Sequence, residues 1–253
     1  MFDEVVLSEE DLLGSLNAPQ KKAVSSDAKH LLVLAGAGSG KTRVLVHRIA
    51  WLMSKKGLSS NRILAVTFTN KAAQEMKKRI ESLMGISTHH MWVGTFHGIA
   101  HRILRQHASD AGLPNNFQIM DSDDQLRLIK RLMTEAGFEE EDVEPKRAQG
   151  FINRQKDEGK RSQDLGHAMS AEYVAMGEIY RLYEAHCQRS GLVDFAELLL
   201  RVYTLWKERP DILAQYQNTF HHILVDEFQD TNTIQYLWLQ TLCGPDCAMT
   251  VVG

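Results

Sequence analysis

Residues 30–42 read HLLVLAGAGSGKT, an apolar run followed by a glycine-rich turn that ends in lysine and threonine. The apolar run has the length of a strand, and residues 41–53 then carry apolar side chains at the three- and four-residue spacing of a helix. A strand, a glycine-rich turn and a helix in this order form the context of a phosphate-binding loop. Its glycines let several backbone N–H groups point at one anion, and the helix N-terminus adds a positive dipole end. The segment therefore predicts an α/β fold that binds a phosphorylated ligand.

Each residue of this loop has an expected role. Lys41 is expected to reach the β- and γ-phosphates of a nucleotide, and the Thr42 hydroxyl to hold Mg²⁺. A glycine-rich turn without a ligand is the alternative, and the lysine-threonine ending and both flanks argue against it. Alanine replaces the first glycine of the general pattern, at little cost if φ there is negative. The nucleotide-binding residues predicted in the loop are Ala35, Gly36, Ala37, Gly38, Ser39, Gly40, Lys41 and Thr42.

An acidic pair follows a second apolar run, residues 222–225 (HILV). The run has the length of a strand and delivers Asp226 and Glu227 to the carboxyl edge of the predicted sheet. Asp226 is expected to bind Mg²⁺ through the water shell of the metal, and Glu227 to polarise an attacking water as general base. Taken alone, such a pair is more often a solvated turn, but the loop at Lys41 reverses that preference.

Further apolar runs at residues 62–68, 91–93 and 248–252 predict additional strands. All are apolar on successive positions, a pattern typical of strands buried on both faces in a parallel sheet covered by helices. Residues 70–84 have helical periodicity. The stretch from about residue 99 to residue 216 is mostly amphipathic helix, with a predicted start at which Ser122 caps and Gln125 reaches back.

These elements predict two domains. Residues 1–95 and 220–253 are expected to form a P-loop NTPase domain with a parallel sheet. Residues 96–219 are expected to form an all-helical subdomain inserted into it.

Charge is distributed unevenly along the chain, although the formal net charge is only -3. Residues 1–95 hold 13 Lys and Arg against 8 Asp and Glu, and residues 220–253 hold 4 acidic residues and no Lys or Arg. The excess of basic residues in residues 1–95 is compatible with a polyanionic partner, although the net charge of the whole chain is negative.

Composition excludes several classes of protein. With 43% hydrophobic and 24% charged residues, the chain fits a soluble globular protein and not a disordered or fibrous one. No apolar run approaches the roughly 20 residues of a membrane-spanning helix, so no membrane partner is expected. The acidic opening MFDEVVLSEEDLL is unlike a secretory signal, and three cysteines fit a reducing compartment. A cytoplasmic location is predicted, associated with the nucleoid if the source is bacterial.

Residues 225–232 read VDEFQDTN and resemble the DEFQDTN box of superfamily 1 DNA helicases of the UvrD/Rep/PcrA type. Further stretches fit the same family in the same order and span nearly the whole chain: LNAPQ (16–20), AGAGSGKT (35–42), TFTNKAA (67–73), WVGTFHG (92–98) and GLVDFAELL (191–199). The resemblance implies a RecA-like fold for the P-loop NTPase domain. It also implies an ATP-dependent 3′–5′ helicase that couples ATP hydrolysis, with Mg²⁺, to translocation on single-stranded DNA and unwinding in DNA repair. Its implied partners are single-stranded DNA and junctions of single and double strands, with repair proteins as further candidates.

The resemblance also implies residue roles. Gln20 would read the adenine edge, and Arg43 would stack its guanidinium on the base. Gln229 would lie near the γ-phosphate and link its presence to the grip on DNA. The DNA-binding residues implied are Phe68, Thr69, Asn70, Thr95, Phe96 and His97, whose polar groups suit phosphates and whose aromatic rings suit unpaired bases.

The chain ends at residues 249–253 (MTVVG), inside a predicted strand. Together with the resemblance, this predicts the N-terminal part of a helicase without its second motor lobe, which would hydrolyse ATP feebly and unwind no duplex. A nucleotide-binding or interaction module without motor activity is the alternative. A P-loop kinase or small-molecule NTPase shares the loop but has no use for the TFTNKAA and TFHG stretches.

Overall fold

The fold is taken from a computed structural model in which residues 7–36, 38–138, 143–166 and 170–253 are described. The helices are α1 (Glu9–Leu13), α2 (Ala18–Ser25), α3 (Lys41–Lys56), α4 (Asn70–Met84), α5 (Phe96–Gln106), α6 (Ser122–Glu135), α7 (Pro145–Asp157), α8 (Ala171–Ser190), α9 (Phe195–Glu208), α10 (Pro210–Thr219) and α11 (Thr233–Leu242). The strands are β1 (His30–Val33), β2 (Ile63–Thr67), β3 (Trp92–Thr95), β4 (Gln118–Ile119), β5 (Leu192–Val193), β6 (His222–Val225) and β7 (Ala248–Val252). Short 3₁₀ turns cover Ser60–Arg62, Ser162–Asp164 and Phe228–Asp230. Within the described ranges, every helix falls short of the length or apolar character that crossing a membrane requires.

Five strands form one parallel sheet in the order β1-β7-β6-β2-β3. Because all five run in the same direction, their carboxyl ends and the loops that follow them meet at one edge. The predicted α/β fold with a parallel sheet is confirmed.

Burial differs between the strands of this sheet. The central strands β2 and β6 are buried at every residue, as their continuous apolar sequences predict. The same prediction is wrong for β1, where Leu32 is 57% exposed. β1 is an end strand and pairs only with β7 in the described part of the chain, but end position alone does not explain its exposure, since β3 at the other end is buried at three of its four residues.

The chain forms two compact units. The sheet unit consists of Met1–Ile99, Asp211–Thr231 and Thr241–Gly253. The helical unit consists of Ala100–Pro210 and Asn232–Gln240. The units differ from the predicted domains at residues 96–99 and 211–219, which group with the sheet, and at residues 232–240, which group with the helices. The predicted boundaries stay a proposal.

The helical unit has an apolar core of its own, formed mainly by α6, α7 and α8. It also contains β4 and β5, which pair in parallel, so it is not purely helical as predicted. Two-residue strands are too short to show any periodicity in a sequence. The predicted cap of α6 is wrong by one residue, because Asp121 is the N-cap and accepts a hydrogen bond from the Asp124 N–H at 2.8 Å.

A charged network lies inside the helical unit. Lys156 of α7 is only 2% exposed and bonds to Asp194 Oδ2 at 2.7 Å and Glu197 Oε2 at 3.0 Å. Arg161 and Arg201 also bond to Glu197. Although burial opposes ionisation, these three cations hold the pKa of Glu197 well below its usual range.

Asp194 has a second function in this network, as the N-cap of α9. Its Oδ1 accepts from the Glu197 N–H at 2.7 Å, and its Oδ2 accepts from the Tyr183 hydroxyl at 2.7 Å. One buried carboxylate therefore satisfies a helix end, a lysine and a tyrosine at once.

We expect Asp194→Ala to lower the free energy of unfolding of the helical unit by about 3 kcal/mol, because it removes a cap and leaves buried donors unpaired. Asp121→Ala is the matched control, since Asp121 is an exposed N-cap whose loss costs about 1 kcal/mol. Urea denaturation followed by circular dichroism measures both. Equal losses in the two variants would contradict the importance of the buried network.

Candidate functional site

The loop after β1 curls tightly at the N-terminus of α3. Gly38 and Gly40 have φ of 77° and 88°, in the left-handed region that favours glycine, and Gly40 is the N-cap of the helix. The Ser39 N–H donates to the Gly36 carbonyl at 3.2 Å. Ala35 continues the parallel ladder, because its N–H donates to the Gly253 carbonyl at 2.9 Å. Ala37, also predicted to bind nucleotide, lies outside the described residues.

Gln20 lies against this loop from α2. Its Nε2 donates to the Ser39 carbonyl at 2.9 Å, while its Oε1 accepts from the Asn17 N–H at 3.1 Å in a reciprocal capping box. A Cβ added at Gly40 would lie 2.8 Å from Gln20 Nε2. The side chain implied to read adenine is thus held against the loop, and one N–H of its amide remains available to a ligand.

Lys41 and Glu227 join the loop after β1 to the loop after β6. Lys41 Nζ lies 2.6 Å from Glu227 Oε2. Gln229 Nε2 donates to the same carboxylate oxygen at 2.6 Å. These two donors hold the pKa of Glu227 below its usual range, with the lysine contributing most.

Thr42 and Asp226 form a second contact between the same two loops. Thr42 Oγ1 lies 3.4 Å from Asp226 Oδ2, and Asp226 Oδ1 accepts from the Glu227 N–H at 3.1 Å. Burial, and then the charge of Glu227, raise the pKa of Asp226. The four residues predicted for phosphate and metal chemistry are therefore brought together.

The backbone of Glu227 is left-handed, with φ of 50° and ψ of 46°. Among the described non-glycine residues it alone has a positive φ. This conformation costs a non-glycine residue about 1–2 kcal/mol. The turn directs Glu227 to Lys41, whereas Asp226 next to it faces Thr42.

Arg43 is exposed on α3. It lines a surface cavity of about 440 Å³ together with residues of α3 and α4, which are Val46, His47, Arg79, Ser82 and Leu83. Its stacking on a nucleotide base stays a prediction.

Polar residues predicted to bind DNA follow β2 and β3, which are neighbours in the sheet and pair Thr67 with Thr95. Thr69 and Asn70 are exposed, and Thr69 Oγ1 accepts from the Ala72 N–H at 3.1 Å as the N-cap of α4. Thr95 Oγ1 accepts from the Gly98 N–H at 3.1 Å. These bonds orient both hydroxyls, but Thr95 is only 9% exposed, so its hydroxyl is less accessible to DNA than that of Thr69.

The aromatic residues of this group are placed differently from one another. Phe96 is 1% exposed and packs edge-to-face on Phe68 at a centroid distance of 5.7 Å. A buried ring offers no face to a base, so the structure argues against base stacking by Phe96. Its ring packs instead against Phe68, which is partly exposed. His97 is partly exposed, and burial lowers its pKa, so it is a neutral donor or acceptor near neutral pH.

Residues 16–253 match the family described as UvrD/REP helicase N-terminal domain. This chain belongs to that family. The predicted family and its RecA-like fold are confirmed, and the loop, the acidic pair and the strand ends described above all lie inside the matched range.

Curated members of the UvrD/REP family share extensive identity with this chain. DNA helicase II of Escherichia coli is 55% identical over 96% of the chain, and that of Haemophilus influenzae is 53% identical over the same share. The ATP-dependent DNA helicase PcrA of Staphylococcus aureus is 39% identical, again over 96% of the chain. The aligned region covers 34% of the two DNA helicases II and 33% of PcrA, so the chain spans about a third of the length of these relatives.

Gly253 also lies at this site, although it was not among the residues predicted for it. A Cβ there would lie 2.8 Å from Gln229 Oε1, so the chain after β7 passes close to the Gln229 amide. A single glycine after an apolar run was the available signal, and it is a weak one.

We expect Gly40→Ala to lower the free energy of unfolding of the nucleotide-free chain by about 1–2 kcal/mol, because φ is positive and the new methyl group meets Gln20. Gly36→Ala is the matched control in the same loop, where the methyl group would meet nothing within 4 Å. Thermal unfolding without nucleotide compares the two variants. A Gly40→Ala variant as stable as Gly36→Ala would show that the loop adopts another conformation.

Proposed function

We propose that this chain is the nucleotide-binding part of an ATP-dependent DNA helicase, with ATP as substrate and Mg²⁺ as cofactor. The observation that carries the proposal is the meeting of Lys41 and Thr42 with Glu227 and Asp226 at one edge of a parallel sheet. The names of the relatives, DNA helicase II and ATP-dependent DNA helicase, support the same reaction.

The ion pair of Lys41 with Glu227 supports a role for this lysine in phosphate binding. Its ammonium is paired with Glu227 at 2.6 Å, and a triphosphate in the loop would compete for it with several negative charges. Transfer of Lys41 to phosphate would remove the main cause of the lowered pKa of Glu227. Glu227 would then be a stronger base, held by Gln229 and able to take a proton from an attacking water.

Thr42 and Asp226 offer a hydroxyl and a carboxylate, which are the hard oxygen donors that Mg²⁺ prefers. Their oxygens lie 3.4 Å apart, with Thr42 in the first turn of α3 and Asp226 directly after β6, so the donor set fits the metal. Mg²⁺ bound here would neutralise the charge of the phosphates. The raised pKa of Asp226 is consistent with a buried carboxylate that lacks a full counter-charge.

Single-stranded DNA is the proposed polymeric ligand. Thr69, Asn70 and Thr95 carry polar groups at the carboxyl ends of paired strands, and Phe68 adds a partly exposed ring beside them. Such groups bind phosphates and stack on unpaired bases. Translocation, 3′–5′ polarity, binding at strand junctions, repair partners and a cytoplasmic, nucleoid-associated location belong to the same proposal.

We expect Lys41→Ala to weaken binding of a fluorescent ATP analogue with Mg²⁺ by roughly 10- to 100-fold, because charge-assisted hydrogen bonds to the phosphates are lost. Lys56→Ala is the matched control, since Lys56 ends the same helix and pairs with the exposed Asp27. Its affinity should stay within about twofold of the parent. Unchanged affinity in Lys41→Ala would exclude this loop as the nucleotide site.

We expect Thr69→Ala and His97→Ala each to weaken binding of a single-stranded oligonucleotide by roughly 2- to 10-fold through loss of one hydrogen bond. Thr69→Ser keeps both the cap and the hydroxyl and should bind as the parent does. Fluorescence anisotropy at several salt concentrations measures affinity and the salt dependence expected of phosphate contacts. Parent-like binding by both alanine variants would show that single-stranded DNA binds elsewhere on the chain.

A further inference from the structure

Asp157 ends α7 and makes a side-chain contact with Asn232, at the start of α11. Asn232 Nδ2 donates to Asp157 Oδ1 at 3.1 Å, and both residues belong to the helical unit. The carboxylate is partly buried, and burial raises its pKa while the bond from Asn232 opposes that rise. The contact is thus a hydrogen bond between partly buried groups, which loses more when one partner is removed than an exposed one does.

Asn232 is fixed at both ends of its side-chain amide. Its Oδ1 accepts from the Gln235 N–H at 3.0 Å, and Gln235 Oε1 accepts from the Asn232 N–H at 3.0 Å. This reciprocal pair caps α11, and the remaining amide donor goes to Asp157. The side chain therefore joins the start of α11 to the end of α7.

The end of α7 is itself held firmly. Lys156, the residue before Asp157, bonds to Asp194 and Glu197 in the buried network. Gly159 follows with φ of 78°, and a Cβ there would lie 3.3 Å from Leu237 Cδ1. The close approach of α11 to this turn gives a second, independent contact between the two elements.

The chain before Asn232 leads directly into the candidate nucleotide site. Two residues separate Asn232 from Gln229, and a hydrogen-bonded 3₁₀ turn covers the segment before Asn232. In it the Thr231 N–H donates to the Phe228 carbonyl at 3.2 Å, and the Asp230 N–H donates to the Glu227 carbonyl at 2.9 Å. Displacement at Gln229 therefore acts on Asn232 through a short, hydrogen-bonded segment.

We propose that Asp157 is a positioning residue that anchors Asn232, and with it the segment carrying Glu227 and Gln229, so that nucleotide binding is transmitted to the end of α7. The transmission step rests on the proposed nucleotide-binding function, whereas the anchor itself does not. Asp157 touches no substrate in this proposal and acts only through Asn232.

Hydrogen exchange measured by mass spectrometry on the 253-residue chain tests the anchor without nucleotide. Asp157→Ala should speed exchange across residues 231–236 by roughly 2- to 10-fold, the equivalent of one lost hydrogen bond. Asp157→Asn keeps an oxygen acceptor and should exchange as the parent does. The control Glu158→Ala removes the neighbouring carboxylate, which pairs with Lys160, and should also match the parent.

Asn232→Ser provides a second route to the same test if Asp157→Ala folds poorly. Serine retains an N-cap acceptor for Gln235 but has no amide to donate to Asp157. Faster exchange across residues 231–236 in this variant, with no further increase on adding Asp157→Ala, supports the anchor. Parent-like exchange in both Asp157→Ala and Asn232→Ser, or loss of protection in Asp157→Asn, overturns it.

Addition of Mg²⁺ and a non-hydrolysable ATP analogue tests the transmission. Nucleotide should slow exchange in residues 226–231 and 150–161 of the parent, and only in residues 226–231 of Asp157→Ala. Equal protection of residues 150–161 in both chains, or none in a parent that binds nucleotide, overturns the transmission. A parent that binds no nucleotide instead contradicts the proposed function, and the nucleotide-free comparison still decides the anchor.

Discussion

The candidate site depends on the ion pair between Lys41 and Glu227, which joins loops from strands that are not neighbours. β7 lies between β1 and β6, so the 2.6 Å contact spans the carboxyl end of that strand. Gly253 follows β7 there and lies against Gln229, whose Oε1 would be 2.8 Å from a Cβ at this position. The parallel direction of the strands brings the loops to one edge, and the ion pair joins them there.

Local sequence predicted the elements that carry this site, because their signals are local. The runs at 222–225 and 248–252 and the helix at 70–84 have the predicted bounds, since apolar stretches bounded by polar or glycine residues define them. The phosphate-binding loop was predictable because glycine spacing and its lysine-threonine ending describe one backbone shape. The pairing of Lys41 with Glu227 required the strand order, and no local pattern contains that order.

Other features depend on which side chains meet across long stretches of chain. Phe96 is buried and forms an aromatic pair with Phe68, although the resemblance implied a DNA-binding role for it. Residues 232–240 belong with the helices, although they follow the acidic pair directly. β1 is exposed at Leu32 although its apolar sequence resembles that of a central strand, and the other end strand, β3, is mostly buried.

The charged network of the helical unit shows why composition alone misjudges this region. Glu184, Asp194 and Glu197 add to the acidic count of the insertion, yet all three accept bonds from cations on other segments. Paired charges of this kind require each partner and tolerate little change in geometry. The region is therefore organised by specific polar contacts as well as by its apolar core.

The left-handed backbone of Glu227 places a carboxylate in the site at a cost in stability. Glycine or asparagine would adopt the same φ and ψ at lower cost, but neither provides a carboxylate for Lys41 and Gln229. A variant library screened only for heat resistance would favour those residues at this position. If glutamate were instead retained at this position, the selection must also have required catalytic turnover.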